Sequence, residues 1–211
     1  MGNGIRERQR EQTRQALLRE SRHLFATHGY AAVGLAQIVE SAGVTKGALY
    51  HHFDSKAAVF RAVLERVQGE VAEKVVAAAD AHDDPWAQLT AGCQAFLSAS
   101  TDPSVQRIML IDGPAVLGWH EWRAMDEAAS ARHLAEALAA LIDDGVIAEQ
   151  PVAPLAHLLS GAMNEAALWL ATSTDPADLT HTQVALSGML ESLRSRHGDV
   201  TCRGSDKSTR R

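Results

Sequence analysis

One stretch of eleven residues, from Gly43 to Phe53, constrains the fold of this chain more than any other part of its sequence. A short amphipathic stretch precedes it, and Gly43 supplies the left-handed backbone on which helices often end. Thr45 can cap the next helix, in which Leu49 and Phe53 lie four residues apart and face a core. Two short helices joined by such a turn are typical of a helix-turn-helix.

The outer face of this second helix has small residues at its start and polar residues behind them. Gly47 and Ala48 allow close approach of the backbone, and Lys46 adds positive charge. Tyrosine and histidine side chains can donate hydrogen bonds to phosphate oxygens, and they occur at Tyr50, His51 and His52. A surface of this kind suits the major groove of duplex DNA, which predicts a double-stranded DNA partner.

The residues around the motif, about 34–53, also fit a known family in one ungapped register. The matching positions are Leu24, Phe25, Gly29, Tyr30, Ile38, Ala42 to Gly47, Leu49, Tyr50, His52, Phe53, Ser55, Lys56 and Phe60. This run resembles the N-terminal DNA-binding domain of TetR-family transcriptional regulators over residues 11–71. The resemblance implies that Thr45, Lys46, Gly47 and Ala48 face base edges and nearby phosphates. It also implies that Tyr50, His52 and Lys56, with His51 beside them, hold the DNA backbone.

The chain departs from the family pattern just before the first motif helix. The family usually has Thr followed by Thr or Ser there, whereas this chain has Val33 and Gly34. Neither side chain can contact phosphate, although glycine is a tolerable helix cap. The resemblance therefore does not carry over one DNA contact of the family.

Charge is distributed unevenly along the chain. The net charge is −6, yet residues 1–56 hold eight Lys or Arg against five Asp or Glu. Residues 57–197 hold eight against nineteen, and the tail from 198 holds four against two. A small basic head on a larger acidic body is the pattern expected of a DNA-reading protein.

Composition excludes several other classes. The hydrophobic content of 46% supports a packed core, and no apolar run approaches the roughly 18 residues of a membrane span. The first ten residues are polar and lack the apolar segment of a secretory signal. The two cysteines, Cys93 and Cys202, lie far apart and form no redox or metal motif, so we expect a cytoplasmic protein without membrane contact.

Helical periodicity and capping signals predict an all-α fold of about nine helices. The first helix ends at His28, the motif supplies two, and a fourth runs from Ser55 to about His82. Shorter predicted helices follow Pro85 and Pro103, and the pattern breaks at Gly113 and Pro114. Three more are predicted over about 119–144, from 151 or 154 onward, and over about 182–196. Residues 72–197 are thus expected to form a helical ligand-binding and dimerisation domain, and 198–211 a disordered tail.

The arginines before Thr13 allow two interpretations. They could form an arm that enters the minor groove of DNA, or a solvated helix face interleaved with Glu7 and Glu11. The sequence leaves both open.

A small-molecule pocket is one interpretation of the large side chains in the second region. Trp119, Trp122 and Met125 share one side of a helix, and neighbouring helices can add other large side chains. The proposed lining is Cys93, Phe96, Met109, Trp119, Trp122, Met125, Met163 and Asn164. His120, Glu121, Asp126 and His133 are further candidate polar anchors. An apolar or aromatic effector would suit this pocket, and the alternative is that these residues are simply core.

The last two predicted helices carry small residues beside large apolar ones, which implies close packing within one chain or across a two-fold axis. One helix-turn-helix buries only roughly 600–1,000 Å² on DNA, so specific binding favours two heads on one palindrome. The TetR resemblance likewise implies a homodimer through these two helices.

No catalytic, cofactor or metal site is predicted. Pairs such as His51 and His52 diverge on a helix, and the chain contains no phosphate-binding glycine loop or nucleophile motif. We therefore expect a DNA-binding regulator, most simply a repressor released from a palindromic operator by an effector. The alternatives are an activator or effector-independent regulator with the same head, and an enzyme or carrier tethered to DNA.

Overall fold

The computed structural model describes residues 2–195, and within that range the chain is all-α, as predicted. Eleven α-helices and one π-helical turn make up this part of the protein. The first four helices are α1 (Gly2–His28), α2 (Leu35–Ser41), α3 (Lys46–His52) and α4 (Lys56–Ala79). After them come α5 (Pro85–Ser100), α6 (Pro103–Gln106), the π turn (Arg107–Asp112), α7 (Gly113–Leu117), α8 (Trp119–Ala128), α9 (Ser130–Asp143), α10 (Val152–Thr172) and α11 (Asp178–Glu191). The predicted disordered tail, 198–211, lies outside the described residues.

A search of these helices for membrane-spanning segments finds none with the necessary length and apolarity.

Local capping fixes the helix-turn-helix as the sequence predicts. Gly43 has a φ of +64°, and the Thr45 hydroxyl accepts a hydrogen bond from the Ala48 amide at 3.2 Å. The Ser55 hydroxyl caps α4 in the same way. Gly34 begins α2 without any side-chain hydrogen bond, so the missing family residue leaves that cap to the backbone.

An aromatic cluster forms the centre of the N-terminal region. The rings of Phe25 and Phe60 lie 5.4 Å apart between centroids, and Tyr30 packs on Phe60 at 5.2 Å. Ile38 of α2 and Leu49 of α3 are completely buried in the same core. Because α1 packs on both motif helices and α4 packs on α1, the outer face of α3 is presented on a rigid support.

Helix α4 continues into the second region, where α5 packs along it. The approach is close at Gly92, because a β-carbon there would lie 3.4 Å from a methyl group of Val75. Helices α9, α10 and α11 pack against α5 in turn. The last described residue, Ser195, lies near the end of α9, where its amide donates to the Val146 carbonyl at 2.8 Å.

Two predicted boundaries are wrong. The chain does not break at Gly113 and Pro114 but stays helical to Leu117, and Gly118, with φ +81°, ends the segment. The predicted single helix over 119–144 is broken at Ala129, whose ψ of −109° lies outside the helical range. These two differences explain why eleven helices replace the predicted nine. The last helix also starts and ends earlier than predicted, at Asp178 and Glu191.

Trp122 gives a physical reason for both boundaries. Its indole N–H donates to the Met109 carbonyl in the π turn at 2.7 Å, an acceptor that π-helical winding exposes. A β-carbon on Gly113 would lie 2.8 Å from the indole, so glycine makes room for the ring rather than ending a helix. Anchored in this way, α8 meets α9 at an angle that one continuous helix does not allow.

Candidate nucleic-acid interface and effector cavity

The outer face of α3 is open to solvent, as the motif requires. Leu49 and Phe53 point inward and are buried. The motif residues that were predicted to contact DNA are all at least partly accessible. Thr45, Lys46, Gly47, Tyr50 and His51 are exposed, whereas Ala48 and His52 are half-buried. The Lys46 ammonium lies 5.9 Å from the centre of the Tyr50 ring, so charge and hydroxyl share one surface. The fold thus leaves the outer side of α3 open, with Lys46 and Tyr50 one turn apart on the same surface.

Two arginines of α1 extend this positive surface. The Arg14 guanidinium lies 5.8 Å from the centre of the Phe53 ring, at the end of α3. Burial lowers the pKa of His52, and the nearby charges of Arg10, His51 and Arg14 lower it further. These effects favour the neutral His52 ring in the free protein.

The N-terminal arginines belong to α1, which is helical from the first described residue, Gly2. A helix with its side chains is roughly 10–12 Å wide, whereas the minor groove of B-DNA is roughly 6 Å wide. This geometry favours a helix face over an arm inserted in the groove. It still leaves Arg10 and Arg14 beside α3.

Lys56 is held inside the N-terminal region. Its ammonium donates to the carbonyls of Tyr30 and Val33, each at 2.9 Å, and lies 4.0 Å from the centre of the Tyr30 ring. Two of its three N–H donors thus stabilise the loop between α1 and α2. The phosphate contact remains a prediction, and the observed contacts show a lysine that shapes the loop. Val33 is buried, so this position presents no side chain to DNA.

The second region contains a cavity of about 280 Å³ between α4, α5, α8, α9 and α10. Three residues of the predicted pocket line it, namely Cys93, Phe96 and Met163. Leu89 and Leu134 add to an apolar wall, and burial raises the pKa of the Cys93 thiol to about 12. The thiol therefore acts as a small apolar group at neutral pH.

The structure places the other five predicted pocket residues off this wall. Met109 and Trp122 are buried against each other through the indole hydrogen bond, and Trp119, which is 60% exposed, packs on Trp122 at 5.0 Å. Met125 lines a separate groove between α4, α8 and α9. Asn164 is buried within α10.

A buried polar cluster, which sequence reasoning recognised only in part, lies at the α8 and α10 side of the cavity. The Arg123 guanidinium donates to Asp126 Oδ2 at 2.6 Å and to Ser160 Oγ at 2.9 Å. Ser160 Oγ donates in turn to Asp126 Oδ2 at 3.3 Å. Asp126 and Ser160 line the cavity, whereas Arg123 lies behind them. We call Arg123, Asp126, Ser160 and Asn164 the polar cluster.

Burial dominates the protonation of this cluster. It raises the pKa of Asp126, while Arg123, Ser160 and Asn164 oppose that change by favouring the charged carboxylate. The spacing of Arg123 and Asp126 on one helix was a sequence signal for a pair, but only the fold brings Ser160 of α10 to it.

Contacts between the π turn and α1 join the cavity region to the DNA-binding region. Asp112 Oδ2 accepts a hydrogen bond from the Tyr30 amide at 2.9 Å, and the Arg107 side chain packs against Gly29. On α4, Arg61 pairs with Glu121 of α8 at 2.6 Å. Tyr30 thus has a contact on each side. Its N–H donates to Asp112 of the π turn, and its carbonyl accepts from Lys56.

The comparisons with known proteins identify the family. A family described as tetracyclin repressor-like, C-terminal domain, matches residues 86–193, just over half of the chain. The family of bacterial regulatory proteins named tetR matches residues 17–63. The protein belongs to the TetR family. A TetR-family transcriptional regulator from Pectobacterium atrosepticum is 35% identical, with a TM-score of 0.72 over 88% of this chain and 96% of that one.

Curated TetR-family relatives match over shorter stretches. The transcriptional activator FasR of Mycolicibacterium smegmatis is 36% identical over 87 residues, which is 41% of this chain and 40% of FasR. The transcriptional repressor AcnR of Corynebacterium efficiens is 35% identical over 63 residues, which is 30% of this chain and 34% of AcnR. The chain thus spans well under two thirds of the length of these relatives, which include both an activator and a repressor.

Proposed function

We propose that the protein is a homodimeric transcriptional repressor that binds a palindromic operator through two α3 helices and is released by a small molecule. The exposed outer face of α3, held on a rigid aromatic core, carries this proposal. Its small residues, Gly47 and Ala48, stand where the helix would approach base edges. Lys46, Tyr50, His51 and His52 surround them with phosphate donors.

An exposed apolar face supports the dimer. On α10 Leu158 is 71% exposed and Trp169 is 50% exposed, while on α11 Val184 and Met189 are 67% and 49% exposed. A β-carbon built on Gly161 or Gly188 would meet no atom within 4 Å, so another backbone can approach there. We call the exposed stripes of α10 and α11 the α10–α11 face. Large exposed apolar patches on folded proteins mark interaction surfaces, and a second copy of this chain is the partner that operator symmetry requires.

Two connections support release by an effector. Helix α4 lines the cavity through Val75, Val76 and Ala79, and its other end packs on α1, which contacts α3. The Asp112 contact with Tyr30 adds a second connection between the two regions. A ligand that favours one arrangement of these elements shifts the spacing of the two α3 helices, and the shift is limited by its difference in affinity for the two states.

Selection of random duplex DNA by the purified full chain tests the proposal. We expect an enriched sequence with two inverted half-sites about one helical turn apart, and a footprint that shrinks when an effector is added. Failure to enrich any sequence would overturn the proposal.

A reporter under the selected operator separates repression from activation. The activator alternative has support from FasR, which is named an activator. Deletion of the gene raises reporter output if the protein represses and lowers it if the protein activates. Chemical turnover of a bound compound would instead favour the tethered enzyme. A protein that regulates transcription in this way works in the bacterial cytoplasm.

A further inference from the structure

The polar cluster leaves one carboxylate oxygen of Asp126 without a partner. Both donors, the Arg123 guanidinium and the Ser160 hydroxyl, reach Oδ2. Within residues 2–195 no hydrogen bond reaches Oδ1, although the carboxylate lines the cavity and is 97% buried as a residue. A buried carboxylate oxygen without a protein donor lacks a hydrogen bond, and a donor group that enters the cavity can supply it.

Asn164 provides a second unpartnered polar group at the same place. The residue is 93% buried, and neither its amide nitrogen nor its amide oxygen has a hydrogen-bond partner among the described residues. It lies one helical turn after Ser160 on α10 and close enough to Asp126 to influence the pKa of that carboxyl. The amide atoms are closed off from the cavity, so Asn164 lies on the protein side of the carboxylate and does not contact a molecule in the cavity.

The charges around the cluster select against an ionised head group. Arg123 lies behind Asp126, where its guanidinium also contacts Ser160 and the ring of His157, so an anion in the cavity meets the carboxylate first. A cation gains little, because Asp126 is already paired with Arg123 at 2.6 Å and the entering charge would lose its water. A neutral donor can form a hydrogen bond with Asp126 Oδ1 without repulsion from the carboxylate and without the loss of an ion's hydration.

The cavity limits the size of the rest of the molecule. A cavity of roughly 150 Å³ accommodates benzene in an engineered protein core. The volume here, about 280 Å³, leaves space for one or two rings. Phe96, Leu89 and Leu134 would contact those rings.

We propose that the effector is a neutral molecule of one or two rings whose hydroxyl group donates to Asp126 Oδ1. The proposal rests on the proposed function only in calling the cavity an effector site. Binding adds a hydrogen bond to α8, the helix whose Trp122 holds the π turn.

A matched series of compounds tests the chemistry. The series is para-phenylphenol, its methyl ether, the corresponding carboxylate and the corresponding benzylic amine, each with the smaller single-ring analogue. Calorimetry and thermal shift on the wild-type full chain should show the phenols binding at least about tenfold more tightly than the ethers, since the ether cannot donate. Equal binding of phenol and ether, preference for the carboxylate or the amine, or no binding by any phenol would overturn the proposal.

Two variants locate the acceptor. Ser160→Ala should keep most phenol binding, because Ser160 holds the carboxylate only through Oδ2. Removing Asp126 alone leaves Arg123 buried without its partner and can unfold the chain. The paired variant Arg123→Met with Asp126→Leu replaces both charges by apolar groups, and it should abolish the preference for phenol over ether. A preference that survives this paired change would also overturn the proposal.

Operator binding distinguishes failure of the proposed ligand chemistry from failure of the proposed regulatory function. The paired variant and the wild type should bind the selected operator equally without a compound, since the polar cluster is far from α3. If the phenols bind but do not release the operator, the effector role fails and the ligand chemistry stands. If the operator is bound and released by ionised compounds only, the regulator stands and the ligand chemistry fails. Trp119→Phe, an exposed change off the cavity wall, serves as the control for both measurements.

Discussion

The DNA-binding region and the cavity region place their polar groups in opposite ways. Around α3 the core is filled by Phe25, Tyr30 and Phe60, and the functional side chains lie outside it on a continuous surface. In the second region the α10–α11 face is apolar, as Leu158 shows, and the polar groups lie inside beside a cavity. One region is built to present a fixed shape, whereas the other is built to be completed by something that enters it.

The difference has an energetic consequence. A filled core resists deformation, so α3 keeps its geometry whether or not DNA is bound. A cavity with unpaired polar groups loses packing and hydrogen bonds, and a ligand restores both by binding the folded state. We therefore expect ligands to stabilise the second region while DNA binding selects among orientations of the first.

The largest expected effect comes from separating the two copies of the second region. Leu158→Glu with Val184→Glu puts charge on the α10–α11 face, where both side chains are exposed in one chain, so the monomer should stay folded. Losing one of two heads should weaken operator binding by about a thousandfold or more, towards the non-specific level. Sedimentation and a mobility-shift titration measure the two effects.

Charge alone could also reduce DNA affinity, so Ala140→Glu with Ala148→Glu, both exposed elsewhere on the second region, is the control. A double variant on the α10–α11 face that remains dimeric, or a monomer with wild-type operator affinity, would contradict the proposed dimer.

Lys46 and Lys56 should differ although the family resemblance gives both a phosphate contact. Lys46→Ala should weaken operator binding roughly tenfold and reduce the log-log salt slope by about 1.8, since the dimer loses two phosphate contacts at about 0.9 each. Lys56→Ala should instead lower the free energy of unfolding by about 1–3 kcal/mol, because the Tyr30 and Val33 carbonyls lose a charged donor. Salt titrations and urea unfolding separate the two.

Lys74→Ala, an exposed lysine on α4, controls for net charge and should change neither quantity. A Lys56 variant of unchanged stability with a flattened salt slope would restore the phosphate role for that residue.

Asp112 tests the connection between the regions. Asp112→Ala removes the acceptor of the Tyr30 amide, so the effector should release the operator several-fold less effectively, within the roughly 0.5–2 kcal/mol range of single-residue coupling effects. Asp112→Asn keeps a carbonyl acceptor and should restore the response. The measurement is operator affinity at zero and saturating effector.

If Asp112→Ala and Asp112→Asn respond to effector equally, the hydrogen bond to Tyr30 carries no coupling, and α4 alone connects the regions.

The smallest expected effect is the pH dependence of operator binding through His52. Burial and neighbouring positive charges hold its pKa below the usual value in the free protein. A phosphate contact favours the charged ring and raises that pKa, so the DNA-bound state takes up a proton. Affinity should therefore rise as pH falls through the interval between the two pKa values, by about threefold from about pH 7.5 to about pH 6.

His52→Gln should remove this pH dependence, and His23→Gln, an exposed histidine on α1, should leave it intact. An affinity that falls as pH decreases would mean that His52 stays neutral on DNA.

Local signals allowed much of the first region to be predicted. The Thr45 cap and the left-handed Gly43 are confirmed, because each depends on residues within one helical turn. The role of Lys56 was harder to predict, since its two carbonyl acceptors lie more than twenty residues earlier in the chain. The predicted break at Gly113 failed because that glycine serves the Trp122 ring and not a helix end.

By itself, the sequence determined the all-α class, the capped helix-turn-helix and the face of α3 that points outward. Those properties follow from hydrogen bonds and periodicities that act over a few residues. The tertiary structure alone decided where the cavity lies, which side chains line it, and that Arg123, Asp126, Ser160 and Asn164 meet beside it. Their meeting depends on the packing angle between α8 and α10, which many distant contacts set together and no local pattern encodes.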